Sequence, residues 1–141
     1  MDDPQELALA AFFDRLTGAV KAFRNPDFEL QPEEMPAVVQ VDGGDDIDLA
    51  DTGADAVDIR VSVGLFVAGG DGVAVGEARR ALRWRVRSLF ARGAGGDPTL
   101  GGAAVDVRYA GSADPVEVTL NDGRLYSVWV LDFRIRVYEP V

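Results

Sequence analysis

Val57-Asp58-Ile59-Arg60-Val61-Ser62-Val63-Gly64-Leu65-Phe66-Val67 is the stretch on which the fold turns. Val57, Ile59, Val61, Val63, Leu65 and Val67 fall on one side, and Asp58, Arg60, Ser62 and Gly64 on the other. That is the period-two alternation of a strand with one face on a core. The pattern returns at the end of the chain. From Leu125 to Glu139, Trp129, Leu131, Phe133, Ile135 and Val137 share one face, while Tyr126, Val128, Val130, Asp132, Arg134, Arg136 and Tyr138 share the other. Fifteen residues span roughly 50 Å at about 3.3 Å each, so this strand either curls strongly or reaches past its own sheet. Val116 to Leu120 alternates and enters Asn121-Asp122-Gly123, a hairpin turn whose Asn and Gly accept positive φ. Ala103 to Ala110 adds a strand with Val105, Val107 and Tyr109 inward, and Ala37 to Val41 a short one with Val39 and Val41 on one face.

Two segments switch to helical spacing. Over residues 5–24, Leu7, Phe12, Phe13, Leu16, Ala19, Val20 and Phe23 fall within about 120° of one another, and Asn25-Pro26 closes the helix. Asp2 or Asp3 ahead of Pro4 suits its start. Over residues 73–92, Val75, Ala78, Leu82, Val86 and Leu89 make a buried face, with Gly93 as the stop. Arg79, Arg80, Arg83 and Arg87 lie beside that face, with Trp84 at the far side of the stripe. Residues 27–36, with their prolines, read as extended or loop; 42–55 as a turn-rich acidic loop; 93–102 as a glycine-rich connector. The order α-β-β-α-β-β-β predicts one α+β domain over residues 1–141, a mostly antiparallel sheet with two α-helices packed on one face.

Composition narrows the chemistry. The 141 residues include no Cys and no His, which removes thiol chemistry, disulfides, imidazole acid–base work and the usual zinc sites. Fourteen basic against 24 acidic residues give a net charge of −10, which disfavours general binding to a phosphate backbone. The charge is segregated. Residues 1–58 hold 15 acids against Arg15, Lys21 and Arg24, a net of −12, and residues 59–141 hold nine acids against eleven arginines. Such halves can associate head to tail between copies, although chance segregation gives the same count. The acidic opening Met1-Asp2-Asp3-Pro4 is unlike a signal peptide, and no apolar run approaches membrane-spanning length, so cytoplasmic synthesis and no membrane partner are expected.

The remaining candidate sites read as follows. The acidic loop fails the calcium-loop pattern in both registers: from Asp46, Ala50 stands at the third ligand position and Asp51 replaces the glycine. No metal or other cofactor is therefore expected. Asp106, Glu117 and Asp132 can share a sheet face, where Arg108, Arg134 and Arg136 supply cross-strand partners without an active site. A carboxylate-dependent hydrolase would need a pocket and a metal as well. The helical arginine stripe suits a carboxylate-rich partner, the acidic loop of a second copy among them, with Trp84 as anchor. A solvated helix face with Trp84 tucked under a loop is the plainer reading.

The whole layout resembles the tail terminator proteins of long-tailed (siphovirus-type) bacteriophages. The residues that carry the likeness are the amphipathic N-terminal helix, Pro36 to Val41, the long variable loop, Asp58 to Val63, Glu77 to Leu82 and Asp132 to Glu139. The resemblance implies no enzymatic activity. It implies a homo-hexameric ring in the virion tail that caps the head-proximal end of the tail tube, stops tube polymerisation, and meets the head–tail connector or head-completion protein. DNA would pass through its lumen without sequence-specific binding. A head-completion or neck connector ring is the alternative. On either reading the expected interface residues are Arg79, Arg80, Arg83, Trp84 and Arg87 on the helix, with Arg134, Arg136 and Tyr138 on the last strand. Asp42, Asp45, Asp46 and Asp48 are placed near the lumen, where like charge keeps DNA from sticking.

Overall fold

The computed structural model describes residues 3–48 and 55–139. In chain order these form α1 (Pro4–Thr17), β1 (Ala22–Arg24), β2 (Ala37–Asp48), β3 (Asp55–Gly69), α2 (Gly72–Ser88), β4 (Asp106–Ser112), β5 (Val116–Thr119) and β6 (Leu125–Glu139). The strands make one sheet in the order β1-β2-β3-β6-β4, with β5 also pairing β6. Only the β1–β2 pairing is parallel among those described. The class is α+β, as the alternation and the element order predict.

β3 and β6 are the spine. They pair antiparallel over their full length, from Asp55↔Glu139 to Gly69↔Leu125. This register sets Val57, Ile59, Val61 and Val63 opposite Val137, Ile135, Phe133 and Leu131, and all eight are buried. Both helices lie on that face. α1 contributes Ala8, Leu9, Phe12 and Leu16, and α2 contributes Val75, Leu82 and Val86 to one contiguous core. Phe12 stacks on Phe90 at 4.3 Å between centroids, and both meet Phe133 edge-on at 5.6 Å. The Asn121–Gly123 turn closes β5 onto β6, with Gly123 at φ 84° and its N–H on the Leu120 carbonyl.

Four local expectations are corrected. The first helix ends at Thr17, not near residue 24. Gly18 follows, a poor helix residue, and its N–H closes the last turn on Asp14. The chain then gains strand partners: β1 runs beside β2, and Asn25, whose φ is +43°, turns it away. Val20 and Phe23 therefore leave the helical stripe, and Phe23 packs edge-on against Phe28. The second helix ends at Ser88, ahead of Gly93, and Phe90 beyond it packs into the core.

The acidic loop is the largest correction. Residues 42–48 are strand, with Asp45↔Ile59, Asp46↔Asp58, Ile47↔Val57 and Asp48↔Ala56 paired after an irregularity between Asp42 and Asp45. Gly43 and Gly44 accommodate it; a Cβ on Gly43 would come within 2.8 Å of the Arg60 carbonyl oxygen. Pairing with β3 overrides the poor strand propensity of Asp and Gly. Residues 49–54 of the expected loop lie outside the described residues. Lastly, Val105 precedes β4 at the sheet margin and is 44% exposed, whereas Val107 behind it is buried.

Candidate interface surfaces

The arginine stripe of α2 divides by function. Arg79 turns down onto the sheet and donates to Glu117 Oε1 at 2.6 Å and Ser127 Oγ at 3.4 Å. Arg83 lies over the rings of Tyr109 and Trp129, at 5.5 and 5.7 Å, and Arg87 over Tyr109 at 3.9 Å. Those cation–π contacts spread the guanidinium charge over apolar surface and leave both groups without a carboxylate partner among the described residues. Arg80 is exposed, and one turn on stands Trp84, 57% exposed. The indole is not tucked under a loop. Val73, Glu77 and Ala81 share that outward face, so Trp84 stands on a ridge of mixed character, with one carboxylate in it, between Arg80 and Arg85.

On the last strand the expected residues split as well. Arg136 is held by Asp58, and Arg108 reaches the same carboxylate at 3.1 Å. The Arg136 hydrogen bond, with the charge of both guanidiniums behind it, holds the Asp58 carboxyl below the usual carboxylate range. Arg134 stands in register with Arg60 on one side and Arg108 on the other. Three like charges in a row repel. Arg60 leans toward Asp46 at 3.8 Å and Arg108 toward Asp58, while Asp132 accepts a hydrogen bond from the Ser62 hydroxyl at 3.0 Å. The expected set of cross-strand ion pairs is corrected: Asp132 accepts from Ser62, Asp106 lies 3.8 Å from Arg108 of its own strand, and Glu117 pairs with Arg79 of α2 on the helix side of the sheet. Tyr138, at the strand's end, is half exposed.

The four acids placed together by sequence lie along β2 but do not share a face. Asp42 is tied into a network behind the strand. Arg24 bridges Asp42 and Glu6 at 2.8–3.0 Å, and Asn25 and Gln40 also donate to Asp42. Burial pushes the Asp42 carboxyl up, but the donors from Gln40, Asn25 and Arg24 outweigh it and hold it below its usual range. The same contacts, the Glu6 hydrogen bond first, raise the Arg24 guanidinium. Asp45 accepts from Gln5 at 2.6 Å on the helix side, and Gln5 bridges to Glu139 at 2.8 Å. Asp46 leans to the opposite side; the Asp48 side chain lies outside the description. What these residues share is the edge of β2 beyond the short β1, whose pairing stops at Arg24↔Gln40.

One surface escaped sequence reasoning. On the sheet face away from the helices, a groove of about 630 Å³ lies between the 25–30 segment and the sheet, lined by Pro26, Phe28, Leu30, Val41, Phe66 and Val128 among others. Phe28 and Val41 are about half exposed, and Val116 and Val118 continue apolar surface on β5. The signal was present: Val128 and Val130 sit on the otherwise polar side of the last strand, so that strand is apolar on both faces along its first half.

Among the described residues no three carboxylates gather to hold a metal ion, and no helix is long and apolar enough to cross a membrane. No family model matches the chain, and no curated protein matches it. Among solved structures, a chain from the virion of a native gene transfer agent particle is similar, at TM-score 0.42 and 13% identity over 93% of this chain and 94% of that one.

Proposed function

We propose that this protein is a structural virion subunit of a phage-type particle, one that forms a ring at the head-proximal end of the tail tube. The ring ends tube growth and offers the surface on which the head connector docks. The observation that carries the reading is Trp84: a large indole, 57% exposed, on a helix face flanked by Arg80 and Arg85, neither of which meets a carboxylate among the described residues. Trp and Arg dominate protein–protein hot spots. A face of that kind calls for a partner. The resemblance to tail terminators supplies the rest: six copies, the tube beneath, the connector above, and DNA passing through a lumen edged by the acidic β2.

Negative-stain imaging of the concentrated protein, alone and with its cognate tail-tube protein, tests the reading. Six-fold rings, or tubes capped at one end and held at fixed length, are the expected result. Monomeric particles beside tubes that grow without limit overturn it. Capture by portal or adaptor protein in place of tube protein moves the ring to the neck.

A further inference from the structure

The apolar groove has an acidic wall. The 25–30 segment, which forms one side of it, carries Asp27 and Glu29 and no basic residue. Neither has a cationic partner among the described residues, and Glu29 itself lines the groove. α2 is its complement. Its 17 residues hold five arginines against Glu77 alone, and its outward face carries Trp84 between Arg80 and Arg85. One surface is an apolar hollow with Asp27 and Glu29 on its bounding segment, the other a ridge of Val73, Ala81 and Trp84, interrupted by Glu77, with Arg80 and Arg85 along its borders.

We propose that the α2 ridge of one copy, Trp84 foremost, seats in the groove between the 25–30 segment and the open sheet face of a second copy, with Arg80 and Arg85 against Asp27 and Glu29. This inference rests on the ring reading, and it names the contact that the reading leaves open. The two surfaces cannot meet within one chain, because α2 covers one face of the sheet and the groove opens on the other. The contact is therefore heterologous: each copy uses a different surface on its two sides. Such contacts propagate until rotation closes them into a ring. The groove lies in the size range that encloses a drug-sized ligand, which leaves room for an indole and its apolar neighbours. Burying an indole there removes on the order of 200 Å² from water. Opposed charges fix which way round the copies dock and speed their encounter.

Two substitutions on exposed positions test it by sedimentation velocity. Trp84→Ala removes the ridge. Val41→Lys puts a cation into the groove, facing a basic partner. Circular dichroism and thermal melts check that both fold, and Glu29→Lys on the rim serves in place of Val41→Lys if that variant melts early. The wild-type chain is expected to assemble beyond dimer, and each variant alone to associate at least about 30-fold more weakly, the scale of a hot-spot truncation. The mixture decides the geometry. Trp84→Ala retains a groove and Val41→Lys retains a ridge, so an equimolar mixture should form a one-to-one heterodimer and stop there. A wild-type chain that stays monomeric up to millimolar concentration overturns the proposal. So does wild-type assembly by Trp84→Ala, or a mixture that gives no heterodimer. The virion role is read separately: rings that assemble through this contact but leave tubes uncapped keep the contact and remove the role.

Discussion

Arg136 grips Asp58 across a register pair of β3 and β6, Nε on Oδ1 at 2.9 Å and Nη2 on Oδ2 at 3.1 Å. The Asp58 side chain is only 19% exposed, so this fork is worth more than a typical surface pair. Asp58→Asn should cost about 1–2 kcal/mol at neutral pH, read by urea unfolding. The folded carboxyl titrates below its unfolded value of about 3.9. Its contribution is therefore complete above that value and is lost as pH falls through the folded pKa. The gap between wild type and variant should hold from pH 8 to pH 5 and narrow below about pH 4. A gap that widens in acid would refute this account.

Phe12 ties the two helices to the sheet. Its ring stacks on Phe90 and meets Phe133 edge-on, with no exposure to solvent. Phe12→Ala leaves a cavity beneath both rings and should destabilise by about 3–5 kcal/mol; Phe12→Leu should cost far less. Equal losses for the two substitutions would mean that the cluster is not close-packed.

Two neighbouring glycines after α2 differ in kind. Gly95 sits at φ +82° in open space, so Gly95→Ala meets only the left-handed backbone penalty, about 1–2 kcal/mol. A Cβ on Gly96 would collide with the Ser88 carbonyl oxygen and the Leu89 carbonyl group, all rigid backbone. Gly96→Ala should thus cost more, about 3 kcal/mol, and should loosen Asp97, whose N–H donates to the Leu89 carbonyl at 2.9 Å. Thermal melts that rank the two variants the other way contradict the geometry.

Asp97 staples this segment to α1. Its Oδ1 accepts from the Thr99 hydroxyl at 2.6 Å and the Thr99 N–H at 2.8 Å, and its Oδ2 from the Gly101 N–H and Arg15. Donation by the Thr99 hydroxyl, then by the Gly101 and Thr99 amides, lowers the carboxyl to about 2. Carboxylate NMR should find that value, and Thr99→Val should raise it. The staple's contribution to stability stands at neutral pH and falls away as the pH drops toward 2. An unperturbed titration near 4 would rule the staple out.

How much of this was legible in sequence follows from which forces set each element. Val57–Val67 and Leu125–Glu139 alternate because one face is buried, and burial writes itself into residue type; both strands and the helix stripe of α2 could be read directly, while the pairing of the two strands came only with the structure. β1 could not, because three residues with no period of their own become a strand only when β2 is beside them. The acidic half of β2 misled for the same reason: Asp and Gly signal a turn locally, and only pairing with β3 makes them a strand. At the candidate surfaces, spacing put Trp84 and Arg80 on an outward face, but it could not tell that Arg79 would turn to Glu117 or that Arg83 and Arg87 would lie on Tyr109. The groove is formed by a non-repetitive segment crossing a sheet, which no periodicity encodes.

The acidic edge of β2 supplies the last test of the ring reading. Asp45 and Asp46 point to opposite sides of the strand, so a lumen lined by this edge would present both only if the strand stands edge-on to the channel. DNA within a Debye length, about 8 Å at physiological salt, would then feel repulsion from each carboxylate. Asp45→Asn, Asp46→Asn and Asp48→Asn combined in one chain should leave rings and capped tubes intact, since Gln5 keeps Glu139 as a partner. DNA ejection should slow by a factor on the order of ten at low salt and recover as salt is raised. Normal assembly with unchanged ejection would place the β2 edge away from the channel, on the outside of the ring.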